Sequence, residues 1–74
     1  MNEHDVIVLN RSLPENCLEA GDVGTIVHVY RNGDGFEVEF VTGNGETIAV
    51  VTLESGDVRP VATHEILHVR QIAV

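Results

Sequence analysis

Three features of the sequence predict an all-β fold. Val, Ile and Thr are abundant, Phe36-Glu37-Val38-Glu39-Phe40 alternates strictly, and Gly-rich turn segments stand at Asn32-Gly33-Asp34-Gly35 and Thr42-Gly43-Asn44-Gly45. β-Branched residues suit a pleated, half-buried surface. A period of two sends Phe36, Val38 and Phe40 to one face and the two glutamates to the other. Asn and Gly tolerate the positive φ that tight hairpins demand. Together with the run Gly21-Asp22-Val23-Gly24-Thr25-Ile26-Val27, these features read as the centre of a small SH3-like five-stranded barrel with a C-terminal extra strand. The whole chain, 1–74, is one domain: barrel about 5–62, C-terminal extension about 63–74.

The elements follow in order. Asp5 to Leu9 is the first strand. Ser12 to Gly21 is a loop, in which Pro14 blocks regular pairing and Leu13 and Leu18 are anchors onto the barrel. Gly24, in a second strand from about Val23 to Arg31, permits the close approach or bend of a small barrel. Glu37 and Glu39 of the third strand are expected to face water. In the fourth strand, Glu46 to Leu53, one face holds Ala49, Val51 and Leu53, while Ile48 and Val50 make the other apolar as well. The second strand divides similarly, Ile26 and Tyr30 against Val27 and Val29. Ser55-Gly56-Asp57 is a turn, and Val58 to Val61 the last barrel strand, where Pro60 suits an edge.

Composition narrows the function. The chain has 74 residues and a formal net charge of −8, with twelve carboxylates against Arg11, Arg31, Arg59 and Arg70 and no lysine. Nucleic-acid binding requires a basic stripe to displace counterions from phosphates, and four scattered arginines do not form one. An acidic field instead steers a basic protein partner. No apolar run of about 18 residues is present to span a membrane. The acidic start Met1-Asn2-Glu3-His4-Asp5 is unlike a signal peptide, and the lone Cys17 has no intrachain partner. Both point to a cytoplasmic protein, with Cys17 a small half-buried residue rather than a reactive thiol.

Candidate chemistry is sparse. His64-Glu65-Ile66-Leu67-His68 matches the H-E-x-x-H pattern, in which two histidines one helical turn apart hold zinc and the glutamate activates water. Here the surrounding alternation is that of a strand, which separates the histidines by about 13 Å. A catalytic zinc also needs a third protein ligand; none follows His68 in sequence, and His4 or His28 would have to come from elsewhere. The expectation is no metal and no cofactor. Glu37 and Glu39, about 7 Å apart along a strand, could be mistaken for a glycosidase pair, yet so short a chain builds no deep cleft around them. Gly33-x-Gly35 and Gly43-x-Gly45 lead into no helix that would receive a phosphate.

Several segments taken together carry a resemblance: Asp5-x-Val-x-Leu9, Gly21-Asp22-x-Gly24-Thr25, Phe36-Glu37-Val38-Glu39-Phe40, Ala49-Val50-Val51-Thr52-Leu53, Asp57-Val58-Arg59-Pro60 and Glu65 to Arg70. Over nearly its whole length the sequence resembles a family of short bacterial proteins catalogued as a domain of unknown function and similar to SH3-like barrels. The resemblance implies that fold and no established enzyme activity. The functional expectation is a non-enzymatic interaction module, such as an antitoxin, immunity or inhibitor protein, that binds a basic protein through Glu37, Glu39, Ile48 and Val50. A homodimer or an obligate partner contact through the Ile48 and Val50 face is expected as well. The alternatives are a scaffold subunit of a larger enzyme or redox assembly, and a metal-dependent hydrolase at His64, Glu65 and His68.

Overall fold

The computed structural model describes residues 1–31 and 33–72. Asn32 of the expected first turn, and Ala73 and Val74 of the expected extra strand, lie outside the described residues. Five strands form: β1 (Val6–Leu9), β2 (Val23–Val29), β3 (Gly35–Val41), β4 (Thr47–Glu54) and β5 (Val58–Pro60). They make one antiparallel sheet in the order β4-β3-β2-β1-β5. The expected closed barrel is therefore corrected to an open sheet with β4 and β5 as its edges. That sheet must nonetheless curl. The chain passes from Glu54 on one edge to Val58 on the other through a 3-10 turn at Ser55–Asp57, whose three residues advance only about 6 Å. The two edges converge at that end.

Curling gathers a single core. Phe36, Val38 and Phe40 of β3 meet Ile7 and Leu9 of β1, Ile26 of β2, Leu53 of β4 and Val58 of β5. Full burial of each such side chain stabilises by about 1.5–3 kcal/mol. Leu13 and Leu18 close the same core from the loop, each donating its N–H to the other's carbonyl. Between them a 3-10 turn at Pro14–Asn16 ends on Cys17 in the left-handed region, φ 60. That conformation leaves Cys17 exposed, where a half-buried position was expected.

Two bulges correct the expected faces. Ile26 opposes Val38 but His28 opposes Glu37, so Val27 is an extra residue in β2. Beyond it the phase reverses: Val29 packs on the core and Tyr30 turns outward. Phe40 opposes Ala49 but Val41 opposes Thr47, which makes Ile48 the extra residue in β4. Ile48 packs against the core and does not share the outer face with Val50. Bulges bend the strand that carries them and increase its twist, in keeping with the curl.

The C-terminal extra strand does not form. Beyond β5 the described residues make a turn at Thr63-His64 and continue without regular structure to Ile72. This tail lies over the outer side of β1 and β2, where a small cavity of about 110 Å³ separates Val8 and Val23 from Ile66, Leu67 and His68. Val8 points away from the core, between Ile7 and Leu9, toward the cavity it shares with the tail.

At Gly24 the expected close approach is realised. A Cβ built there would stand 2.7 Å from Phe40 Cε2 and 2.7 Å from Val38 Cγ1, both buried in the core. Gly43, in the β3–β4 turn, has nothing within 4 Å of the same construction. Overpacking a core costs about 1–3 kcal/mol, and each kcal/mol is about 4–8 °C of Tm in a domain of this size. Gly24→Ala is expected to lower Tm by roughly 10 °C or more in a thermal melt, and Gly43→Ala to leave it nearly unchanged. Equal melting of the two variants would show that the contact is not tight.

Candidate interaction surface

β3 fixes the surface because its inward residues are locked in the core. Glu37 and Glu39 necessarily emerge on the opposite side, and the register with β4 places Thr52 beside Glu37 and Val50 beside Glu39. Three of the four expected partner-binding residues, Glu37, Glu39 and Val50, therefore share one outer face; Ile48 does not. The bulge in β2 adds two more, since it brings His28 opposite Glu37 and turns Tyr30 outward. The ring of His28 meets that of Tyr30 edge-on, centroids 4.9 Å apart at 88°.

The carboxylates do not simply face water, as expected, but are half-buried and clasped. The Tyr30 hydroxyl donates to Glu37 Oε2 at 2.6 Å, and the Thr52 hydroxyl donates to the same oxygen. The Thr47 hydroxyl donates to Glu39 Oε2 at 2.6 Å. Among the described residues no hydrogen bond reaches either Oε1. The Thr52 and Tyr30 hydroxyls, with His28 nearby, hold Glu37 below the usual carboxylate range. The hydrogen bond to Glu37 in turn raises Tyr30, with burial and the Glu37 charge adding to it, and keeps the phenol a donor. The result is two oriented acceptors on a strand, each with a free oxygen.

The ion pairs of the described arginines are made elsewhere. Arg11 pairs with Asp57 at 2.8 Å, Arg59 with Glu65 at 2.6 Å, and Arg70 with Asp22 at 2.6 Å and Glu19 at 3.4 Å. Among the described residues no arginine pairs with Glu37 or Glu39. Thr52 was within reach of sequence reasoning, because the β3–β4 turn sets the register that pairs 37 with 52, whereas the side on which Thr47 emerges depends on the bulge at Ile48. Tyr30 was not, because its orientation depends on the bulge at Val27. The bulged Ile48 instead lines a wide groove of about 800 Å³, together with Leu18, Val23, Val69 and Ile72, between the tail and the β3–β4 turn. The common apolar face of Ile48 and Val50 that a homodimer was expected to use is not formed.

The H-E-x-x-H segment does other work. Glu65 accepts from Arg59 Nη1 at 2.6 Å and Nη2 at 2.7 Å, and from the Ala62 N–H at 2.6 Å. Both of its oxygens are thus engaged in fastening the tail to β5. His64 and His68 are exposed on that tail. Among the described residues no group of three or more His, Cys, Asp or Glu is placed to hold a metal ion.

The Arg59 fork, with the Ala62 amide, moves the Glu65 carboxyl from its ordinary 4.5 to about 2. An acid depressed in the attached state favours attachment above its ordinary value and loses that contribution as pH falls through the attached value. The tail is expected to stay fastened at neutral pH and to loosen between about 4.5 and about 2. Carboxyl and Ala62 amide shifts followed by NMR titration check this, with Arg59→Gln returning the Glu65 midpoint toward 4.5. A wild-type midpoint already at 4.5 would mean that the fork does not hold in solution.

A family model described as Domain of unknown function (DUF4926) matches residues 3–60. That span takes in β1 to β5 with Tyr30, Glu37, Glu39, Val50 and Thr52, and stops before the tail that carries His64, Glu65 and His68. No curated protein and no solved structure significantly matches the chain. With its five strands inside the matched span, the chain belongs to the DUF4926 family.

Proposed function

We propose that the protein is a non-enzymatic interaction module that receives a basic protein partner on the outer face of β2, β3 and β4. One observation carries the reading: Glu37 and Glu39 are oriented by hydroxyls, keep a free oxygen each, and among the described residues pair with no arginine. Val50, 53% exposed between Glu39 and the free edge of the sheet, supplies apolar contact next to the charge. A catalytic use of the pair would need a cleft to exclude water, and a sheet's outer face offers none. An antitoxin, immunity or inhibitor protein of the bacterial cytoplasm is the kind of molecule this describes. The accompanying architecture is SH3-like, supported by β1 pairing with both β2 and β5 and by the 3-10 turn that leads into β5.

The test compares wild type with the Glu37→Gln, Glu39→Gln double variant. A partner captured from the native host by the immobilised wild-type protein is expected to be basic. Its association with the double variant, measured by stopped flow, should be about tenfold slower at low salt, because surface charge steers encounter. In about 1 M salt the Debye length is about 3 Å and the difference should nearly vanish. A partner that meets both proteins at the same low-salt rate overturns the reading.

A further inference from the structure

We infer that the partner binds by adding an extended strand to the free edge of β4, with its cationic side chains lying across Val50 and Thr52 toward Glu37 and Glu39. This rests on the interaction-module reading and specifies how the partner is held. β4 is an edge strand of eight residues. Proteins usually blunt such an edge with lysine, proline, a bulge or a cover; β4 contains no Lys, Arg or Pro, and its bulge at Ile48 leaves the stretch from Ala49 to Glu54 regularly paired with β3. Strand addition to an open edge is a general mode of protein recognition, in which main-chain hydrogen bonds give affinity and alternate side chains give specificity.

The direction of the unpaired groups follows from the ladder. The Tyr30 N–H donates to the Gly35 carbonyl, so Gly35, Glu37 and Glu39 direct their backbone groups toward β2. Antiparallel pairing alternates these directions. Phe36, Val38 and Phe40 therefore bond to Leu53, Val51 and Ala49, and the N–H and C=O groups of Val50 and Thr52 face the open edge. The residues that would hold an incoming main chain are thus the same two whose side chains stand beside the carboxylates. Strands lie about 4.8 Å apart, so Glu37 and Glu39 stand two spacings from an added strand, a gap that an arginine or lysine and a glutamate close between them. The methylene stem of that cation would cover Val50.

Charge selects the occupant. Glu46 and Glu54 bracket β4, and Glu37 and Glu39 run along its neighbour. A second copy of this chain, itself at −8, would set these rows of carboxylates side by side. A strand with alternating cations complements them.

The probe is a capped eight-residue peptide of alternating valine and arginine, compared with the same peptide N-methylated at two adjacent central residues. Methylation removes main-chain donors from both edges of the peptide and leaves its charge unchanged. The parent peptide is expected to slow amide exchange at Val50 and Thr52 and to bind at least tenfold more tightly than the methylated one. Val50→Pro should show a similar loss, since it removes an edge donor and no bond to β3; its amide spectrum verifies the fold. Equal, salt-sensitive binding of both peptides would overturn strand addition and leave the acidic surface standing. Parent binding that is unaffected by Glu37→Gln with Glu39→Gln would overturn the acidic surface instead. No binding of the parent peptide at millimolar concentration would also overturn strand addition.

Discussion

The backbone of Gly24 passes beneath the Phe40 ring and the Val38 side chain with no room for a methyl group. That approach lets β2 and β3 bend together far enough for one face of a single sheet to enclose its own core. Val58 on one edge strand and Leu53 on the other join the same cluster only because the sheet is curled. Asp57 secures the place where the edges converge. Its carboxylate accepts from the Glu54 N–H at 2.9 Å and from Arg11 Nε at 2.8 Å, while its carbonyl accepts from the Asn10 N–H at 2.7 Å. The crossing from β4 to β5 is thereby tied to the end of β1.

A core packed on one side of β3 makes the other side a rigid platform. Phe36, Val38 and Phe40 hold the backbone, so Glu37 and Glu39 are positioned without loop ordering, and the hydroxyls of Tyr30, Thr52 and Thr47 fix their carboxylates further. Groups placed in advance bind with less loss of conformational entropy than groups that must be ordered on contact. The arginines are distributed accordingly. Arg11, Arg59 and Arg70 fasten the β4–β5 crossing and the tail, so three of the chain's four cations hold the molecule together away from the platform.

How much of this was legible in the sequence depended on whether the signal was local. The alternation of β3, the anchoring leucines 13 and 18 and the tight position at Gly24 could all be read from residue type and spacing. The bulges could not. Val27 and Ile48 stand in runs that are apolar at consecutive positions, so an extra residue leaves no mark on the pattern, yet it reverses the outward side of everything beyond it. The tail misled for a related reason. Leu67 to Arg70 alternates like a strand, but just before it Glu65 turns back to the Ala62 amide and the Arg59 fork, and that local clasp competes with strand pairing. The same clasp shows why H-E-x-x-H is a weak motif without its helix.

Net charge and the open edge make sense together. An exposed strand invites pairing with any extended chain, including a second copy of itself. Here the guard is not a charge pointing from the edge strand's own middle but a field around it, from Glu46 and Glu54 at its ends and from Glu37 and Glu39 one strand away. Between like copies that field is repulsive, and it falls away over about a Debye length. Toward a cationic chain it is attractive over the same range. With the proposed binding mode, one arrangement of four carboxylates would both disfavour self-association along β4 and leave its backbone donors and acceptors to a strand of opposite charge.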